Sequence, residues 1–198
     1  MVVFGITGGS GSGKTSVSKM LEKLGVYIID TDVIAHEIVE PNSDCLNELV
    51  NYFGDSILND DKILNRKKLA SIAFSDKQKT EALSNITHKY IKAEVVKDIN
   101  TTDAELVGID GAVIIGSNVE PLCEFIVSVI ADKQSRITRI KTRDNITDEQ
   151  AIQRINAQND DEFYKENSMY IIYNNGDIAQ LESDVVGLFN KIKGNSFE

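Results

Sequence analysis

The stretch that most constrains this chain is Gly8-Gly9-Ser10-Gly11-Ser12-Gly13-Lys14-Thr15, a G-x-x-x-x-G-K-[ST] pattern. An apolar run at residues 2–6 precedes it. Val17, Met20, Leu21 and Leu24 follow at the i, i+3, i+4, i+7 spacing of a helix. Strand, glycine-rich loop and helix in that order build a phosphate cradle. Glycines let successive backbone N–H groups converge on an anion, and the helix points its positive dipole end at the same place. Gly11, Ser12, Gly13, Lys14, Thr15 and Ser16 are therefore the candidate residues for holding a nucleotide polyphosphate. Lys14 would reach the β- and γ-phosphates, and the Thr15 hydroxyl would be a ligand of a bridging Mg²⁺. A dinucleotide G-x-G-x-x-G does not fit, because its last position falls on Lys14 or Ser16.

The 198 residues suit one α/β domain with insertions, and an apolar content of 41% supplies a proper core. A net charge of -10 argues against a general nucleic-acid binder. No apolar run reaches membrane-spanning length, and residues 2–6 lack the length and flanks of a signal peptide. Cys45 and Cys123 are too few and too far apart for a metal knuckle, so reduced thiols are expected. The chain reads as a soluble cytoplasmic protein, a monomer or small homo-oligomer, with residues 194–198 as a loose tail.

Gly25 stops the first helix, and residues 26–29 read as a buried second strand running into Asp30-Thr31-Asp32. Carboxylates at the end of a parallel strand lie beside the ligand crevice of an open α/β sheet. Asp32 is the candidate acid/base with Asp30 in support; the alternative role is capping a helix over residues 33–40. After the break at Pro41-Asn42, Ser43 or Asp44 opens a mainly helical stretch to about Thr101. That length exceeds a simple crossover and suggests a substrate-binding subdomain containing His88. Residues 105–110 read as a third buried strand ending in Asp110, either a metal-water ligand or a turn residue. Residues 125–131 form a fourth strand. Lys133, Arg136, Arg139, Lys141 and Arg143 follow, with the three arginines at spacings of three and four on one face. They fit a solvated helix face, or a lid whose guanidinium groups neutralise a transferring phosphoryl group. A helix capped at Thr147 carries Arg154 and Gln158; residues 169–173 form a last strand. Asn174-Asn175-Gly176-Asp177 is a turn, and residues 178–192 a closing helix.

Five segments in order, covering nearly the full length, resemble the dephospho-CoA kinase family. They are residues 5–14; Ile29-Asp30-Thr31-Asp32-Val33-Ile34-Ala35 with Val39-Glu40-Pro41; Ile86-Thr87-His88 with Ile91; Arg143-Asp144-Asn145-Ile146-Thr147 with Glu149, Arg154 and Ala157-Gln158; and Asn174-Asn175-Gly176. The resemblance implies a P-loop NTPase fold, a parallel sheet flanked by helices, in one kinase domain. Its core would span about residues 1–40, 104–132 and 168–193, the acceptor-binding insertion about 41–103 and the lid about 133–167. It implies that ATP phosphorylates the ribose 3′-hydroxyl of dephospho-CoA, giving coenzyme A and ADP. Catalysis would fall to Asp32, Lys14 and Arg139, ATP binding to the loop with Arg143 and Asn175, and acceptor binding to Asp32, His36, His88 and Arg139. The chain departs from the family pattern on the acceptor side. His36 stands where an Arg is usual, His88-Lys89 replaces His-Pro, and Ala112 and Gly116 replace a Pro and a Glu. Two other readings stay open: a related P-loop kinase for another small hydroxyl or nucleoside, and a catalytically weak ATP-binding paralogue.

Overall fold

Five strands carry the architecture of a computed structural model that describes residues 1–195. They are β1 (Val2–Thr7), β2 (Tyr27–Asp30), β3 (Leu106–Asp110), β4 (Phe125–Ile130) and β5 (Tyr170–Tyr173). All pair in parallel, in the order β2-β3-β1-β4-β5. The inner strands β1, β3 and β4 are covered on both faces, which is why they read as unbroken apolar runs. The second strand departs from expectation. It lies on the sheet edge, and of residues 26–29 Val26 and Ile29 are buried while Tyr27 is exposed. An apolar run four residues long cannot by itself distinguish an inner strand from an edge strand.

Helices α1 (Lys14–Lys23) and α9 (Ile178–Asn195) cover one face of the sheet. They bury Val17, Leu21, Leu181, Val185, Leu188 and Ile192 against Phe4, Ile6, Val127 and Val129. Each such side chain stabilises the fold by about 1.5–3 kcal/mol relative to exposure. The expected loose tail is corrected in part: Gly194 and Asn195 continue α9, and residues 196–198 lie outside the described residues. Between β4 and β5 come α6 (Lys133–Asp144), α7 (Asp148–Asn156) and α8 (Asp161–Glu166). Ile137 and Ile140 of α6 meet Ala151 and Ile155 of α7 in a small core of their own. The capping box at the start of α7 is present, with the Thr147 hydroxyl accepting from Gln150 N and the Gln150 side chain accepting from Thr147 N.

The chain divides into two compact units, Met1–Asp30 together with the chain from Thr102 onward, and Thr31–Thr101. The second is helical: α2 (Thr31–Glu37), α3 (Asp44–Phe53), α4 (Arg66–Ala73) and α5 (Lys77–Thr101). Helices α2, α3 and α4 each pack on α5. Ser43 caps α3 by accepting from Leu46 N at 3.2 Å, and Asn65 caps α4 by accepting from Lys68 N at 3.0 Å. The unit starts at Thr31, earlier than the expected residue 41, because α2 belongs with α5 rather than with the sheet. Helix α2 also begins earlier than residue 33, so Asp32 lies in its first turn and is not its cap.

Candidate active site

β1 hands the chain to the loop at residues 8–15 where its two neighbours, β3 and β4, belong to opposite halves of the sheet. This is the topological switch point at which open α/β sheets bind ligands. Geometry calls for glycine in this loop. Gly11 and Gly13 take φ of 78° and 96°, and a Cβ on Gly13 would collide with the Asn174 side-chain amide. A Cβ on Gly11 would lie 2.7 Å from the Arg136 carbonyl oxygen.

Side chains from far along the chain hold the loop by its carbonyls. Ser10 O accepts from Arg136 Nε at 2.9 Å. Gly11 O and Ser12 O both accept from Arg139 Nη1 at 3.2 Å, and Ser12 O also accepts from Asn174 Nδ2 at 2.8 Å. With the carbonyls engaged on one side, the amides of Gly11, Gly13, Lys14 and Thr15 donate to no group among the described residues. Gly13 provides no side-chain cap for α1, so the positive end of that helix opens onto the same place. The Ser12 hydroxyl is buried and, among the described residues, has no hydrogen-bond partner. Lys14 forms an ion pair with Asp110, buried at the end of β3. Asp110 is in register with Asp30 at the end of β2, so two carboxylates stand on adjacent strand ends.

The three arginines of α6 separate by burial. Arg136 is buried on Ser10; Arg139 is partly buried and adds hydrogen bonds from Nη2 to Asn174 O at 3.0 Å and Oδ1 at 3.3 Å. Arg143 is exposed and forks onto Asp144 at 2.8 and 2.9 Å. Asp144 also pairs with Arg154 of α7, and the Arg143 guanidinium, then Arg154, holds its carboxyl down at about 2. Asn175 turns to a different task from its neighbour: its Oδ1 accepts from Asp132 N at 2.8 Å, where α6 begins. Thr15 and Ser16 are exposed in the first turn of α1. In the helical unit, Asp32 and His36 lie four residues apart on one exposed face of α2, and half-buried His88 lies on α5, against which α2 packs.

Arg136 was expected on a solvated face or a lid, Gln158 on the helix capped at Thr147 and Asn174 in a turn; all three prove to be partners of the loop, and Gln158 lies past the end of α7. The spacing from Arg136 to Arg139 and the doubled Asn were the visible signals, but neither said which member would touch the backbone. The thiols of Cys45 and Cys123 are free, pushed up to about 11 and about 12 chiefly by burial. Among the described residues no group of three or more His, Cys, Asp and Glu could hold a metal by itself. No helix there is long and apolar enough to cross a membrane.

A parallel sheet with this loop between β1 and α1 defines the P-loop kinase fold. A model of the family described as dephospho-CoA kinase matches residues 2–180. A dephospho-CoA kinase of Lactobacillus johnsonii is 33% identical over 191 residues, covering 95% of this chain and 96% of that protein. The solved dephospho-CoA kinase from Campylobacter jejuni superposes with a TM-score of 0.69 at 26% identity, covering 98% of each chain. A Thermus thermophilus structure shares the fold, with a TM-score of 0.84 at 24% identity over 96% of this chain and 97% of that one. The chain belongs to the dephospho-CoA kinase family.

Proposed function

We propose that this enzyme phosphorylates the ribose 3′-hydroxyl of dephospho-CoA with ATP by gripping the triphosphate in the loop at residues 8–15 while Asp32 takes the acceptor's proton. Family membership carries the reaction. The observation that supports the assignment of parts is the loop itself, with its carbonyls held and the amides of Gly11, Gly13, Lys14 and Thr15 left to donate.

Phosphoryl transfer asks mainly for positioning and charge neutralisation. The loop amides and the α1 terminus supply donors to the β- and γ-phosphates. Lys14 leaves Asp110 for the incoming phosphate oxygens, a more highly charged partner than one carboxylate. The loop fits a magnesium–nucleotide pair: Thr15 offers its exposed hydroxyl beside the phosphates, and Asp110 and Asp30 stand on the neighbouring strand ends. Mg²⁺ would be held there with the help of the Thr15 hydroxyl and, when bound, would neutralise phosphate charge. Arg139 adds charge at the loop while fixing Gly11 and Ser12, and Arg143 and Asn175 are assigned to the nucleotide side. Asp32 follows two residues after Asp30, is exposed on α2, and serves as general base. His36 and His88 are assigned to the acceptor's phosphates. We place the enzyme in the cytoplasm, in keeping with its free thiols.

Turnover with ATP, Mg²⁺ and dephospho-CoA, beside a panel of nucleosides, tests this. Coenzyme A and ADP should form in equal amounts. Phosphorylation of a nucleoside with no turnover of dephospho-CoA would overturn the acceptor assignment.

A further inference from the structure

Ser10 is the one loop residue gripped at both of its backbone groups by side chains. Its N–H donates to Gln158 Oε1 at 2.7 Å, and its carbonyl accepts from Arg136 Nε at 2.9 Å. Arg136 Nη2 then donates to the same Gln158 oxygen at 3.2 Å, which closes a ring through the two side chains and the Ser10 backbone. Arg136 is 6% exposed, and its guanidinium lies flush on Gly9, where a Cβ would strike Nη2. The carboxylate paired with it, Asp161, stands at 3.8 Å and is half exposed. A buried cation so loosely matched costs stability unless it has other work. Its work here is geometric: one planar fork reaches a loop carbonyl from Nε and the Gln158 oxygen from Nη2, a fixed spacing that a single ammonium nitrogen does not reproduce.

We propose that Arg136 and Gln158 are a positioning pair that sets the phosphate-binding shape of the loop by fixing Ser10. This rests on the reading that the loop holds the nucleotide's phosphates. Neither residue touches the phosphates in this account; both act through the Ser10 backbone. Both also come from the segment expected to be a lid, so the roots of α6 and of the turn after α7 stay tied to the loop. Any closing motion then belongs to the parts beyond them.

Gln158→Ala and Arg136→Lys test the pair, with binding of ADP, the two Michaelis constants and hydrogen exchange at the Ser10 amide as readouts. Gln158 is only half buried in a turn, so its alanine variant folds even where an Arg136 variant does not. In the nucleotide-free protein, Gln158→Ala should speed exchange of the Ser10 amide. It should weaken ADP binding and raise KM for ATP about tenfold while KM for dephospho-CoA stays within about twofold. Arg136→Lys keeps the charge and should not restore wild-type ADP affinity. Unchanged exchange and ADP affinity in Gln158→Ala, or full affinity in Arg136→Lys, would overturn the pair. A wild-type protein that fails to bind ADP overturns the phosphate reading, and the pair with it.

Discussion

The loop at residues 8–15 and the helical unit Thr31–Thr101 are held together by different kinds of contact. In the loop, partly or fully buried side chains from residues 136, 139, 158 and 174 reach back across the sequence to single backbone atoms. In the helical unit the polar contacts include exposed pairs such as Lys89 with Glu48 at 2.6 Å and Lys97 with Glu94 one turn away, with the Tyr90 hydroxyl joining Glu48 at 2.7 Å. The long helix α5 buries only Ile86 and Val95 in its 25 residues. Exposed ion pairs stabilise little, whereas a backbone fixed by several buried donors cannot shift without losing all of them. Donors fixed in advance suit the phosphate cradle proposed for the loop, because less order is then lost on binding. The proposed acceptor role of the helical unit would place its binding on the more loosely braced part of the chain.

Substitutions on the two sides should separate accordingly. The largest effects fall on chemistry. Lys14→Ala should lower kcat/KM for ATP by about 10²–10³-fold, as removal of one electrostatic donor to the transferring group does. Asp32→Asn should lower kcat by about 10²–10⁴-fold and leave ADP affinity within twofold. A loss of ADP affinity in Asp32→Asn, measured by calorimetry, would erase the division between the two sides. Next comes Gly13→Ala, which forces a Cβ into the left-handed region and against Asn174. It should cost at least about 1–2 kcal/mol in urea unfolding and weaken ADP binding together. His88→Ala should follow, raising KM for dephospho-CoA about tenfold with KM for ATP unchanged. A rise in both constants would count against His88 serving the acceptor alone.

The smallest effect is electrostatic and lies at the far end of α6. The carboxyl of Asp144 is lowered to about 2 by Arg143 and Arg154. A depressed carboxylate contributes stability in full above its unfolded value, near 3.8, and loses it as pH falls towards about 2. Asp144→Asn should therefore lower the unfolding midpoint slightly and by a constant amount from pH 8 to about 5, with the difference shrinking between about pH 4 and 2. A difference that grows on acidification would place the stabilising proton on the wrong side of the equilibrium.

The same contrast decides what was legible in the sequence. The loop was plain because positive φ and crowding at the Cβ position favour glycine at Gly11 and Gly13, and chemistry fixes Lys14 and Thr15. Strands β1, β3 and β4 were plain because burial on both faces makes an apolar run. The edge position of β2 was hidden, since pairing is set by partners distant in sequence. So was the start of the helical unit at Thr31, which depends on α2 meeting α5. Among the arginines, regular spacing implied a common face, yet Arg136 is buried on Ser10 while Arg143 is exposed on Asp144. The Asn174-Asn175 pair divided likewise: the first holds Ser12 and the second holds Asp132.

Hydrogen exchange followed by mass spectrometry, with ATP and then dephospho-CoA added in turn, tests the contrast most directly. Adding ATP should slow exchange at residues 8–16 and leave residues 44–101 unchanged; adding dephospho-CoA should then slow exchange in α2 and α5. Protection by ATP that spreads through α5 while the loop amides stay as they were would contradict a preformed phosphate cradle at residues 8–16.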